Sequence, residues 1–164
     1  MRDTSGYSRM QIGLHWIIAL LVGANYFLGD GMGRALKQRI ETGAAPGTQA
    51  SLHVWIGIAV LVLVLMRLGV RMMRGAPETP AGTPPLLSKL GSLGHLALYV
   101  LMIGVPLGGA VVWFLGVESL GEAHALAGNA IMVVAGLHAA AALFHQYVLK
   151  DGLMTRIIWP RQEL

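Results

Sequence analysis

Six histidines carry most of the chemistry that this sequence offers, and all lie in long stretches without Asp, Glu, Lys or Arg: His15, His53, His95, His124, His138 and His145. Imidazole is a common metal ligand and exchanges protons near neutral pH. An ionisable group inside an apolar segment is costly, so it indicates a functional site by default. Hydrogen bonding between helices would explain one such histidine, but it is a weak explanation for six.

His124 and His138 lie 14 residues apart in one apolar stretch. In an α-helix this spacing is about 21 Å along the axis and returns to within roughly 40° of the same face. One helix therefore presents two imidazoles inward, one near each surface of a membrane. Two stacked cofactors require this arrangement.

Other apolar stretches supply a partner at each level. His53 is expected near the same membrane surface as His124, and His15 near the same surface as His138. Two neutral imidazoles on opposite faces of a porphyrin give a low-spin b-type haem, held without covalent attachment. The pattern predicts an outer haem whose iron is ligated by His53 and His124. It also predicts an inner haem whose iron is ligated by His15 and His138. Six-coordinate iron has no open site, which favours electron transfer.

Neighbouring residues fit haem binding, although each also has an ordinary explanation. Gly57 and Gly128 each follow a predicted ligand by four residues, so a macrocycle can approach the backbone there. Small residues also pack helices together in lipid. Arg67 follows His53 by 14 residues and is a candidate partner for a haem propionate; the alternative is an arginine that extends to the lipid headgroups.

His95 and His145 remain without a predicted iron. Both lie toward the inner side, where a quinone carbonyl needs a hydrogen-bond donor and, on reduction, a source of protons. We predict that they contact quinone, with Gln11, one turn before His15, as a further donor. The alternative for the two histidines is a hydrogen bond to a propionate or to the backbone.

Other chemistries find less support in the sequence. A zinc site needs three or four ligands at one point, often including Cys or a carboxylate, whereas the histidines lie at two levels and the chain has no cysteine. The lack of cysteine also excludes disulfides and c-type haem attachment. A Ser-His-Asp hydrolase is not supported, because no acid lies within the apolar stretches and there is no Gly-x-Ser-x-Gly motif.

The elements that must position the histidines are apolar helices. Of the 164 residues, 55% are hydrophobic and 12% are charged, and the mean hydropathy is +0.62; a soluble domain has about 25% charged residues. A membrane-spanning helix needs about 20 apolar residues, and four such spans fit: 10–29, 51–73, 88–115 and 122–149. We predict an all-α, integral membrane four-helix bundle with two b-type haems between the helices, formed by one domain, 1–164.

Basic residues indicate the orientation of this bundle. Nine lie near the chain termini and around the loop between the second and third spans, against three, Arg34, Lys37 and Arg39, in the loop after the first span. Because cytoplasmic loops carry the excess of Lys and Arg, we predict that both termini are cytoplasmic. This topology explains the net charge of +4, and no nucleic-acid partner is expected.

The sequence resembles the bacterial cytochrome b561 family, the small four-helix di-haem cytochromes of the inner membrane. The resemblance covers nearly the whole chain and is carried by YSRMQIGLHW (7–16), LHV (52–54), LGHLALY (93–99) with the later Pro106, and GLHAAAALFHQY (136–147) followed by Lys150-Asp151. It implies haem ligation by His15, His53, His124 and His138, and ubiquinone near the cytoplasmic haem.

One branch of the family resembles superoxide oxidase, which passes electrons from periplasmic superoxide to ubiquinone. This chain differs from that branch in its very short third loop, 116–121.

Two redox functions follow as expectations. The first is a superoxide:ubiquinone oxidoreductase, an enzyme in which Arg34, Lys37 and Arg39 would steer superoxide to the outer haem. Acidic residues on the same side outnumber these cations, so a solvated loop of mixed charge is the alternative. The second function is an electron-transfer subunit, or membrane anchor, of a periplasmic dehydrogenase, without superoxide chemistry. A third reading, a structural or transport bundle, predicts a colourless protein.

Overall fold

The structure, a computed structural model, describes residues 6–80 and 82–160. Its helices are α1 (Arg9–Leu28), α2 (Met32–Thr42), α3 (Thr48–Arg74), α4 (Pro85–Leu115), α5 (Gly121–Phe144) and α6 (Thr155–Ile158). A 3-10 turn, Glu118–Leu120, precedes α5, and a π-helical turn, His145–Leu149, continues it. Across the described residues there is no β-strand, so the prediction of an all-α fold is confirmed.

Within the described residues, four segments are long and apolar enough to cross a membrane: α1, α3, α4 and the segment Glu118–Leu149 that contains α5. Their bounds differ from the predicted spans by only a few residues. Local signals explain two of the ends. Ser8 and Gln11 form a capping box at the start of α1, which satisfies backbone donors that have no partner in the helix. Pro85 is the first residue of α4, where its missing N–H removes no helical hydrogen bond.

The long helices form a bundle in which α3 packs between α1 and α4, and α5 packs against α4. A small buried core lies where α1 meets α3, and it consists of Leu14, Ile18, Val60 and Val64. Many other large apolar side chains are exposed, among them Leu20, Phe27, Trp55 and Leu137. A soluble monomer rarely exposes so much apolar surface, so these side chains face lipid.

The segment after α1 forms the short helix α2, whereas the sequence analysis treated it as a loop. Leu36 of α2 is buried against Ala50, Val112 and Trp113. This contact holds α2 across one end of the bundle, which we call the outer end. Because a helix of this length depends on tertiary packing for its stability, the sequence pattern alone did not indicate it.

The opposite end, which we call the inner end, holds both described termini. The chain that follows α5 is held there by two hydrogen bonds to parts of the chain that are distant in sequence. Nε1 of Trp16 donates to the carbonyl of Ile157 at 3.0 Å, and Nη1 of Arg156 donates to the carbonyl of Glu78 at 2.7 Å. These bonds bring α6 against α1 and against the loop between α3 and α4.

Candidate functional site

At the outer end, the rings of His53 on α3 and His124 on α5 face each other with their centroids 6.2 Å apart and their planes at 90°. Each ring is held by its Nδ1 atom. Nδ1 of His53 lies 3.1 Å from the carbonyl oxygen of Asn25, and Nδ1 of His124 lies 3.0 Å from that of Val105. Because a carbonyl only accepts, both Nδ1 atoms carry the hydrogen, and both Nε2 lone pairs are free to bind a metal.

The separation of the two outer rings fits an interposed metal ion. A metal–imidazole bond is about 2.0 Å long, so two such bonds and the distances from ring nitrogen to ring centre account for a centroid separation of about 6 Å. The donor set, two neutral imidazoles with oriented outer nitrogens, is the one that b-type haem iron requires.

A cavity of about 770 Å³ surrounds this pair, within the usual range for small-molecule and cofactor sites. Gly57 and Gly128 line it, so any side chain at either position would occupy its space. A Cβ built on Gly109 would lie 2.7 Å from Cε1 of His124, which only glycine allows. Oδ1 of Asn25 also belongs to the lining; it is buried and has no hydrogen-bond partner among the described residues. These features fit a flat, largely apolar cofactor.

The charged residues that line the outer cavity are all acidic: Asp30, Glu118 and Glu122. The three cations of α2, predicted to steer superoxide, lie on the same end but are not equivalent. Arg39 donates to the carbonyl of Trp113 at 2.8 Å and lies 4.9 Å from the centre of that indole ring. Lys37 lies 3.8 Å from the carboxylate of Glu41, and both side chains are largely exposed. Arg34 is exposed.

At the inner end, His15 on α1 and His138 on α5 have ring centroids 6.3 Å apart and planes at 71°. This separation matches that of the outer pair. His95 on α4 lies closer still to His138, at 5.0 Å between centroids, so the structure brings three histidines together here. Trp16 packs against His15 at 5.1 Å.

Arg67 and Gln11 lie beside the inner histidines and bind each other. Nη1 of Arg67 donates to the backbone carbonyl of Gln11 at 2.7 Å. The Gln11 side chain is part of the α1 cap, because its Oε1 accepts from the backbone N–H of Ser8 and its Nε2 donates to the carbonyl of Gly75. The amide of Gln11 therefore has structural partners already, and its contact with quinone stays a prediction, as does that of Arg67 with a propionate.

His145, predicted to contact quinone, is buried at the start of the π-helical turn, and its Nδ1 lies 2.5 Å from Oδ2 of Asp151. Among the described residues, its ring makes no contact with the rings of the three inner histidines. Within 6–80 and 82–160, no group of three or more His, Cys, Asp or Glu residues could hold a metal ion.

Comparison with known proteins identifies a family. Residues 6–160 match the family described as prokaryotic cytochrome b561. The chain belongs to that family. The resemblance seen in the sequence is thus confirmed.

Three relatives in the cytochrome b561 family illustrate how far the similarity extends. Cytochrome b562 of Cereibacter sphaeroides is 46% identical over 164 residues, which cover 98% of this chain and 100% of the relative. Probable superoxide oxidase CybB of Yersinia pestis is 30% identical, with 93% of this chain and 95% of the relative covered. Cytochrome b561 homolog 1 of Escherichia coli K12 is also 30% identical, with 96% and 98% covered.

As a member of the cytochrome b561 family, this chain is an electron-transfer protein that crosses the inner membrane several times, and b-type haem is the cofactor of such proteins. When bound, haem supplies one-electron redox chemistry. The residues present fit it: His53 and His124 offer oriented nitrogens, and the glycines of the outer cavity leave room for a macrocycle.

Sequence reasoning did not find three residues that contact the predicted site histidines. Gly109 was signalled only by the Gly108-Gly109 pair, which closely follows Pro106. Asn25 is a polar residue within the first span, but nothing local points to its contact with His53. Asp151 follows His145 by six residues, a spacing that does not join two side chains on a regular α-helix.

Proposed function

We propose that this chain is a di-haem b-type cytochrome that moves electrons from the periplasmic side to the quinone pool. His53 and His124 hold the outer haem and His15 and His138 the inner one, so that residues 1–164 act as one domain. The observation that carries the proposal is the near-equal separation of the two histidine pairs, 6.2 and 6.3 Å. They lie at opposite ends of one bundle, and each has a member on α5.

In this proposal the outer end faces the periplasm and both termini lie in the cytoplasm. The three basic residues of α2 lie at the outer end, whereas the inner end carries Arg9, Arg67, Arg71, Arg74, Lys89, Lys150 and Arg156. Cytoplasmic loops carry such an excess of Lys and Arg. Arg2 and Arg161, which the sequence analysis counted on the same side, lie outside the described residues.

Superoxide is our first candidate for the electron donor, which would make the chain a superoxide:ubiquinone oxidoreductase. Two superoxide anions and one quinone, with two protons, give two dioxygen molecules and one quinol. The similarity to the probable superoxide oxidase of Yersinia pestis supports this candidate. Because Arg39 binds Trp113 and Lys37 lies beside Glu41, electrostatic steering would depend mainly on Arg34.

A second candidate is a protein donor, with this chain as the electron-transfer subunit or membrane anchor of a periplasmic dehydrogenase. The acidic lining of the outer cavity, formed by Asp30, Glu118 and Glu122, favours it. Carboxylates at the mouth repel a small anion and attract a basic protein surface.

Ubiquinone is the proposed acceptor at the inner end. His95 and His145 are the side chains proposed to position it, because both lie in inner-end segments and can donate a hydrogen bond to a carbonyl. Reduction of quinone consumes two protons, and histidine can supply them near neutral pH.

A stopped-flow experiment tests the proposal and separates the two donors. The purified, oxidised, haem-loaded protein is mixed with a superoxide pulse, and the reduced α-band is followed with and without ubiquinone. Rapid reduction that relaxes as quinol forms is the result expected for a superoxide:quinone oxidoreductase, and Arg34→Ala should slow the first phase. A spectrum that ignores superoxide but responds to quinol supports the subunit. A protein without haem bands contradicts both candidates.

A further inference from the structure

An imidazole–carboxylate pair to which the family comparison gives no role lies just after the inner end of α5. His145 follows His138 by seven residues, a distance of about 10 Å along a helix that returns to nearly the same face. Its side chain is buried, with 9% of the residue exposed. His145 therefore lies inside the bundle, between the inner histidine pair and the inner surface.

A π-helical turn brings an acid back to this histidine. The turn covers His145–Leu149 and ends at Lys150, whose φ of 53° is left-handed, a conformation uncommon for residues other than glycine. The N–H of Asp151 then donates to the carbonyl of His145 at 3.4 Å, and Oδ2 of Asp151 lies 2.5 Å from Nδ1 of His145. Single π-helical turns occur frequently at functional sites.

The Asp151 carboxylate is fixed from a second side, because its Oδ1 accepts the backbone N–H of Leu153 at 3.0 Å. Burial alone would raise the pKa of Asp151. The hydrogen bonds from His145 and Leu153, helped by the charges of His145 and Arg156, hold that pKa below its ordinary value. Asp151 is thus an anion at neutral pH. The His145 Nδ1 carries the shared hydrogen, which leaves Nε2 as the ring atom that can give or take a proton.

The next residue of the turn has an unsatisfied polar group. Oε1 of Gln146 is buried and has no hydrogen-bond partner among the described residues. Nearly all buried acceptors in proteins are satisfied by protein, ordered water or ligand. A ligand hydroxyl or a water molecule at the π-helical turn would satisfy this one.

We propose that His145 and Asp151 are the proton-transfer pair of the quinone site, in which His145 touches a quinone oxygen and Asp151 is the positioning residue. This inference rests on the proposed quinone-linked function. As two electrons reach one quinone, His145 Nε2 gives a proton to one quinone oxygen and regains a proton from the cytoplasmic side. A second proton from the cytoplasmic side reaches the other oxygen and completes the quinol. Asp151 fixes the ring of His145 and stabilises its imidazolium between transfers. Arg156 is the cation next to Asp151.

The reverse reaction gives the sharpest test, because it needs no outer donor. The oxidised, haem-loaded protein is mixed with a short-chain ubiquinol, and the α-band is followed over a range of pH. We expect the wild-type rate to rise with pH and level off, because oxidation of quinol releases protons. Asp151→Asn should lower the plateau on the order of 10²-fold, because the ring of His145 loses the carboxylate that positions it. Asp151→Glu should restore much of the rate.

Glu78→Gln is the matched control, since it removes one exposed negative charge at the same end and should behave as wild type. A wild-type rate and pH profile in Asp151→Asn would overturn the inference and leave the proposed function intact. A wild type that never exchanges electrons with quinol would overturn the quinone-linked function itself. If Asp151→Asn fails to load haem, Asp151→Glu, which keeps the anion, is compared with wild type in H₂O and D₂O: a changed isotope effect supports proton transfer at this pair, and an unchanged rate and isotope effect contradict it.

Discussion

A Cβ atom on Gly109 of α4 would lie 2.7 Å from Cε1 of His124 on α5. The imidazole therefore occupies the space that the missing side chain leaves. One turn earlier, the carbonyl of Val105 lies 3.0 Å from Nδ1 of the same ring. A single turn of α4 thus sets both the position and the tautomer of one proposed iron ligand, and this relationship supplies the most direct test of the outer site.

Gly109→Ala should displace the His124 ring and weaken or abolish the outer haem while the inner haem stays bound. The new methyl group cannot be accommodated unless the ring moves, and the ring is held by its hydrogen bond. Haem content per protein and a redox titration measure the effect. Gly108→Ala is the matched control, because a Cβ there meets nothing within 4 Å. Two haems with unchanged potentials in Gly109→Ala would contradict the geometry.

His124→Ala should lose the outer haem and keep the inner one, because each proposed haem depends on its own pair of histidines. His95→Ala should keep both haems, even though His95 lies only 5.0 Å from His138. Absorbance and haem content of the purified variants measure this. Loss of the inner haem in His95→Ala would mean that His95, rather than His15, is the partner of His138.

Arg39→Ala should destabilise the outer end by about 1–2 kcal/mol, because it removes one hydrogen bond and one cation–π contact with Trp113. Lys37→Ala should cost less than about 1 kcal/mol, as expected for an exposed ion pair. Thermal unfolding in detergent compares the two variants. Equal stability of both would show that the Arg39 contact contributes little.

The carboxylate of Asp151 should stabilise the fold at neutral pH and lose this effect in acid. Its pKa in the folded chain lies below the ordinary value of 3.8, so the unfolded chain binds the proton first as pH falls. Stability linked to this group is therefore complete above the unfolded pKa and lost as pH drops through the folded one. The difference in thermal midpoint between wild type and Asp151→Asn should shrink below pH of about 4. A difference that persists in stronger acid would contradict this assignment.

The sequence alone was sufficient to predict the helical bundle and the levels of the six histidines. An α-helix has a fixed rise per residue, and the absence of charge marks each span, so His124 and His138 had to lie near opposite ends of one helix. Those predictions use only local geometry and the cost of charge in lipid, which are both readable from residue order.

Tertiary structure alone decided which side chains meet. The rotation of each helix about its axis depends on packing against its neighbours, so sequence could not show that His95 lies closer to His138 than His15 does, or that Gly109 makes room for His124. The contact between His145 and Asp151 needs a π-helical turn and a left-handed Lys150. Regular helix geometry does not predict that path, because the departure is stabilised by the very contacts that it creates.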